Sequence, residues 1–126
     1  MEILIDTHIF LWLASNPDKL SKKYVALLQA RKNRLYLSAM SIAELMIKQS
    51  IGQINIPFDM MKACEVMEIN LLDFDAASAM KLGTLPMHHK DPFDRMLIAQ
   101  AITHNMTFCT VDRKMALYAD EGLKLL

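Results

Sequence analysis

Apolar residues fall along this chain in short blocks of two alternating kinds. EILID (2–6), RLYLS (34–38), NLLDF (70–74) and TFCTV (107–111) are compact apolar runs, the pattern of buried strands. Between them, apolar positions recur at helical spacing. THIFLWLAS (7–15) predicts a short helix that ends before Asn16-Pro17. SKKYVALLQARK (21–32) sets basic residues against Val25, Leu27 and Leu28, an amphipathic helix. Ser41 is expected to open a helix to about Ile51, stopped by Gly52. Further helices are expected over 58–68, 75–83 and 92–104, with a short one over 113–119. The apolar tail LKLL after Gly122 is expected as a fifth strand.

Strands alternating with helices argue for parallel βα units around a central sheet. Helix 92–104 carries Phe93, Met96, Leu97, Ile98, Ala101 and Ile102 with little polar relief, so burial on more than one side is expected. Its start, DPFD, supplies Asp91 as N-cap, Pro92 as first helical residue and Asp94 as first-turn acid. In open α/β sheets, functional groups gather at the carboxyl ends of the strands. Asp6 closes the first strand and Asp112 the fourth, while Glu44 and Asp94 are expected in first turns of helices. All four acids would then share one sheet edge.

Two readings of these acids are open. As structure, Ser41-Ile42-Ala43-Glu44 matches a capping box, Asp6 and Asp112 can cap the segments they precede, and Asp94 suits a helix dipole. As chemistry, four carboxylates at one edge would repel and raise one another's pKa values. A divalent cation is the simplest compensation. Oxygen ligands without His or Cys at ligand spacing favour Mg²⁺ or Mn²⁺ over Zn²⁺. Such a site binds phosphate oxygens and activates a water for attack, and no triad offers a protein nucleophile instead.

The chain has 126 residues, 53% hydrophobic, with three Gly and four Pro, so one domain over 1–126 without a linker is expected. Formal net charge is zero, which leaves nucleic acid open. Lys19, Lys22, Lys23, Arg31, Lys32 and Arg34 form the one strong basic concentration; it reads as a solvated face, an RNA-backbone track or a contact for an acidic partner. Cys64 and Cys109 stand in apolar contexts and read as buried thiols of a reducing compartment. Apolar runs are too short for a membrane span, and a soluble, cytoplasmic protein is expected. The eleven methionines read as core filling, and Trp12 as a core or subunit contact. His88 and His89 read as a polar loop before a helix; His8 and His104 carry less signal still. Arg95 is either a surface arginine or a contact for a substrate phosphate.

LIDTHIFLW, LSAMSIAEL, HHKDPFDRMLIAQA and TVD, in this order and at these separations, resemble the successive signatures of PIN-domain proteins, specifically VapC-type toxins of toxin–antitoxin pairs. The resemblance runs through almost the whole chain. It implies a compact three-layer α/β/α fold around a mainly parallel sheet of four to five strands. It implies that Asp6, Glu44, Asp94 and Asp112 bind Mg²⁺ or Mn²⁺ to hydrolyse RNA, with the Thr7 and Thr110 hydroxyls orienting carboxylates. A homodimer and a small, DNA-binding antitoxin whose tail blocks the acidic cleft are implied as well. Segment 52–87 carries no distinctive motif and is the expected seat of target choice. Two rival classes stand beside this reading. One is a phospho-receiver domain, for which Asp73 or Asp75 would have to be the acceptor. The other is a non-catalytic RNA- or partner-binding module in which the acids only cap helices.

Overall fold

The computed structural model describes residues 1–126. Five strands form one sheet: β1 (Glu2–Ile5), β2 (Arg34–Ser38), β3 (Ile69–Leu72), β4 (Thr107–Cys109) and β5 (Lys124–Leu125). Their order is β3-β2-β1-β4-β5, and every neighbouring pair is parallel. Six α-helices accompany them: α1 (Thr7–Ser15), α2 (Lys22–Gln29), α3 (Ala39–Ser50), α4 (Met60–Val66), α5 (Ala76–Lys81) and α6 (Pro92–Thr103).

The layering follows from side-chain alternation along the central strand. Successive residues of a strand face opposite sides. Ile3 and Ile5 join a core with Ile9 and Phe10 of α1, Leu28 of α2, Leu45 of α3 and Cys64 of α4. Leu4 joins a second core with Leu97 and Ile98 of α6, Phe108 of β4, Met115 and Tyr118. Buried on both faces, β1 needs an unbroken apolar run, which is what ILI supplies. The result is the three-layer α/β/α arrangement. Helix α6 buries five consecutive residues, Leu97 to Ala101, so it is enclosed on more than one side as its composition implied.

Strand order reverses at β1: β2 and β3 lie to one side, β4 and β5 to the other. This is the switch point at which α/β sheets bind ligands, outside the strands' carboxyl ends. Because α6 runs back to feed β4 at its amino end, the start of α6 lies over that same carboxyl edge.

Several boundaries differ from expectation, each for a local reason. Ser38 at the end of β2 is itself the N-cap, its Oγ accepting the Met40 N–H at 3.0 Å, so α3 begins at once. Ser41 therefore lies inside α3 and Glu44 in its second turn; the expected Ser41–Glu44 capping box does not form. Strand β4 stops at Cys109, and Asp112 instead caps a 3₁₀ run over Arg113–Glu121 that Gly122 closes at φ 99°. The third strand ends at Leu72, short of Phe74, and the segment after it divides into α5 and a 3₁₀ turn over Leu82–Thr84. Ser21 and Asp59 cap α2 and α4, which trims both. Cys64 and Cys109 are buried free thiols, and burial pushes Cys109 up to about 12. No helix is long and apolar enough to cross a membrane.

Candidate metal centre at the carboxyl edge of the sheet

Asp6 and Asp112 lie beyond the ends of β1 and β4, and Glu44 and Asp94 lie within α3 and α6. Asp6 follows the last residue of β1, its own N–H bound to the Cys109 carbonyl of β4 at 3.0 Å. Its Oδ1 caps α1 by accepting the Ile9 N–H at 2.9 Å, and its Oδ2 accepts the Thr110 hydroxyl at 2.5 Å. Thr110 Oγ1 in turn accepts the Asp112 N–H at 3.1 Å. One threonine thus links two acids across neighbouring strands. On the other side, the Thr7 hydroxyl donates to Glu44 Oε1 at 2.9 Å and stands 3.0 Å from Ser41 Oγ. Both threonine hydroxyls donate to carboxylates.

The acids form a graded bowl. Asp6 and Glu44 are 5% and 4% exposed and make its floor. The Asp94 and Asp112 side chains, at 27% and 37%, make its rim. The charges of Glu44 and Asp6 reach Asp94, and that of Asp112 reaches Asp6. Burial, then the neighbouring Asp91, raises the Asp94 carboxyl to about 6, with Glu44 and Asp6 adding to the rise against the pull of His89. Burial also raises Asp6, although the Thr110 and Ile9 hydrogen bonds oppose it. Asp112 moves the other way: burial pushes it up, but the Lys114 amide and His89 together pull harder and leave it below its ordinary value.

The tightest group of ligand-type atoms is His89, Asp94 and Asp112, all within 4.8 Å of one another. His89 Nε2 lies 3.2 Å from Asp94 Oδ2 and 3.0 Å from Asp112 Oδ2. Asp6 and Glu44 stand outside that group, their oxygens turned to Ile9, Thr110, Thr7 and Lys48. Lys48 Nζ sits 2.7 Å from Glu44 Oε2. The bond to Glu44 raises the Lys48 ammonium's pKa, opposed by burial, with the Asp91 and Asp94 charges adding to the rise.

Capping explains only part of this cluster. Asp6 and Asp112 do cap the segments that follow them, each with one oxygen. Glu44 caps nothing. The α6 cap is Asp91, whose Oδ1 accepts the Phe93 and Asp94 N–H groups at 2.9 and 3.1 Å, leaving both Asp94 oxygens without that duty. Glu44 and Asp94 therefore carry buried or half-buried charge that no helix cap requires.

Three residues behave differently from expectation. Arg95 is half-buried rather than a surface arginine. It grips the carbonyls of Pro86, His89 and Leu85 at 2.9, 3.3 and 3.2 Å and the Tyr118 hydroxyl at 3.2 Å. His89 is a member of the acidic cluster rather than loop polarity. Lys48 was absent from the candidates, although its i+4 spacing from Glu44 on one helix was a readable signal. His104 pairs with Asp75 at 3.1 Å beside β3, away from the bowl. The phospho-receiver alternative fails on topology. Its strand order would be 2-1-3-4-5, with the acceptor strand beside β1. Here β2 separates β3, and with it Asp73 and Asp75, from β1.

The PIN domain family model matches residues 3–121. Among solved structures, VapBC2 from Rickettsia felis bound to a promoter DNA fragment superposes with a TM-score of 0.72 at 17% identity, covering 100% of this chain and 98% of that one. VapBC-1 from nontypeable Haemophilus influenzae matches with a TM-score of 0.66 at 21% identity, covering 100% and 97%. FitAcB from Neisseria gonorrhoeae matches with a TM-score of 0.64 at 20% identity, covering 98% and 96%. At these identities the likeness is one of fold. No curated protein matches the chain in sequence.

Proposed function

The chain belongs to the PIN-domain family, and from that premise we propose that it is a metal-dependent endoribonuclease, the VapC-type toxin of a toxin–antitoxin pair. The observation that supports the reading is the gathering of Asp6, Glu44, Asp94 and Asp112 at the sheet's switch point, where Asp6 and Glu44 are buried and the charges of Glu44 and Asp6 reach Asp94. Buried like charges without a structural duty are stable only with a counter-charge. An all-carboxylate donor set suits Mg²⁺ or Mn²⁺.

In this reading the four acids hold one or two such ions. When bound, the cation supplies a water of lowered pKa and neutralises charge on the phosphodiester. The chain's own residues do the rest. Thr110 and Thr7 aim the Asp6 and Glu44 carboxylates. Asp94 and Asp112 at the rim meet the incoming backbone. Lys48, partly exposed beside them, offers a cation to a phosphate oxygen. The product would keep a 5′-phosphate. Partners follow the same reading: a homodimer, and a small DNA-binding antitoxin of the kind paired with the VapBC structures. Exposed apolar side chains along α3 and α4, among them Met46, Ile47, Ile51, Met61 and Val66, offer surface for such contacts.

The test is cleavage of RNA by the purified full chain with Mg²⁺ or Mn²⁺, with chelator, and with Asp6→Asn. Cleavage that needs the cation and is lost in the variant is expected. RNA left uncut, together with thermal stability indifferent to both cations, would overturn the enzyme and leave the binding-module reading.

A further inference from the structure

We propose that His89 is a positioning residue: its ring Nε2 stands between the Asp94 and Asp112 carboxylates, bonds to Asp112 and sets the separation of the two acids before a cation arrives. The inference rests on the reading of those acids as cation ligands. It starts from the unequal contacts of the two ring nitrogens. Nδ1 lies 3.2 Å from the Asp91 backbone nitrogen and accepts its N–H. A nitrogen that accepts carries no proton, so the ring proton sits on Nε2. That N–H faces Asp94 Oδ2 at 3.2 Å and Asp112 Oδ2 at 3.0 Å. The hydrogen bond is made to Asp112, in the turn after β4, while Asp94 Oδ2, in the first turn of α6, stands at ion-pair distance from the same nitrogen.

The same contacts exclude the other assignment. For Nε2 to offer a lone pair to a metal, the proton would have to move to Nδ1, where it would confront the Asp91 N–H, donor against donor. His89 therefore lies within ligand reach of the acids without being a ligand itself. It acts through carboxylates that would otherwise swing apart under their own repulsion, as partners behind metal ligands do.

The ring is mounted on a backbone that cannot drift. The His89 N–H donates to the Tyr118 hydroxyl at 2.9 Å, and that hydroxyl donates to the Pro86 carbonyl at 2.8 Å. Arg95 holds the His89 carbonyl from the other side. Tyr118 is fully buried, so the whole mount is anchored in the core under α6. This gives Arg95 its purpose: it fixes the loop that carries the imidazole.

The experiment has two readouts on the full chain. In metal-free, ¹⁵N-labelled protein, the ring nitrogen shifts of His89 report which nitrogen bears the proton; Nε2–H is expected, and Nδ1–H overturns the proposal. Mn²⁺ affinity is then measured by calorimetry for wild type, His89→Leu and His89→Gln. The leucine is expected to weaken binding roughly 10- to 100-fold. The glutamine, whose amide N–H reaches the same acids, should stay within a few-fold of wild type. Wild-type affinity in the leucine variant overturns the proposal and leaves the proposed function standing. Equal losses in both variants overturn it in favour of direct ligation. A wild-type chain that binds no Mn²⁺ removes both readings, and the ring shifts keep the hydrogen-bond assignment testable even where a variant does not fold.

Discussion

Replacing Asp94 by asparagine tests the electrostatics of the bowl without touching its shape. The Asp94 carboxyl is raised from its ordinary 3.8 to about 6, mainly by burial and then by Asp91, Glu44 and Asp6. A raised acid binds its proton more tightly in the folded state, so its stabilisation is present below the unfolded pKa and is lost as pH rises through the folded one. Below about pH 4 both states are protonated and the cost is absent. Between about pH 4 and 6 the unfolded chain ionises first and stability falls; above about pH 7 the fall is complete. At ~1.4 kcal/mol per unit, the loss amounts to ~3 kcal/mol at most. The amide that replaces the carboxyl cannot ionise and lacks this term. In metal-free urea denaturation, the stability of Asp94→Asn relative to wild type should therefore rise by up to ~3 kcal/mol from about pH 4 to pH 7. Taking the difference between the two proteins cancels the opposite trend of Asp112 and Asp75, whose carboxyls sit below their ordinary values. Saturating Mg²⁺ at about pH 7 should return the wild type's deficit and leave Asp94→Asn little changed. A difference that stays flat with pH would refute the claim that this carboxylate is buried among like charges.

Two further substitutions probe the surroundings of the bowl. Tyr118→Phe removes the hydroxyl that the His89 N–H donates to and that donates to the Pro86 carbonyl, and should cost about 1–3 kcal/mol in urea denaturation. Lys48→Met removes the ammonium from Glu44 Oε2 and leaves a buried carboxylate short of a partner, which should cost about 1–3 kcal/mol without metal. Calorimetry should then show Mn²⁺ binding more tightly than to wild type, since the tethered cation no longer competes; unchanged affinity would mean that Lys48 stands clear of the cation.

The strands and the buried character of α6 were legible because both signals are local. A strand buried on two faces must be apolar where it is buried, and Ile3 to Ile5 of β1 are. Asp91 was readable as the α6 cap from Asp-Pro spacing alone, and the structure has it accepting two amides. The start of α3 was not, because Ser38 and Ser41 are equally good caps on paper. Where β2 lets go of its neighbours decided between them, and that depends on how far its register with β1 and β3 extends. Lys48 and the capping box show the same limit from two sides: both are i, i+3 or i+4 relations of Glu44, and only the true helix start tells which one is made.

The chain's own pattern determined that strands and helices alternate and which runs are enclosed, and it set Asp6 and Asp112 after strands and Asp94 at a helix start. These are consequences of neighbours along the backbone. What the tertiary structure decided is how residues far apart in sequence meet: Thr110 on Asp6, Thr7 on Glu44, and His89 between Asp94 and Asp112. Strand order is the cause. Placing β4 rather than β3 beside β1 brings Asp112 and Thr110 to Asp6 and leaves Asp75 with His104 at the far side of the sheet. No local spacing encodes that choice, because it is made by which apolar faces close against one another. The role of His89 is the sharpest case. Along the chain it is a polar residue before a helix; in the fold, a backbone N–H on one nitrogen leaves the other facing two carboxylates.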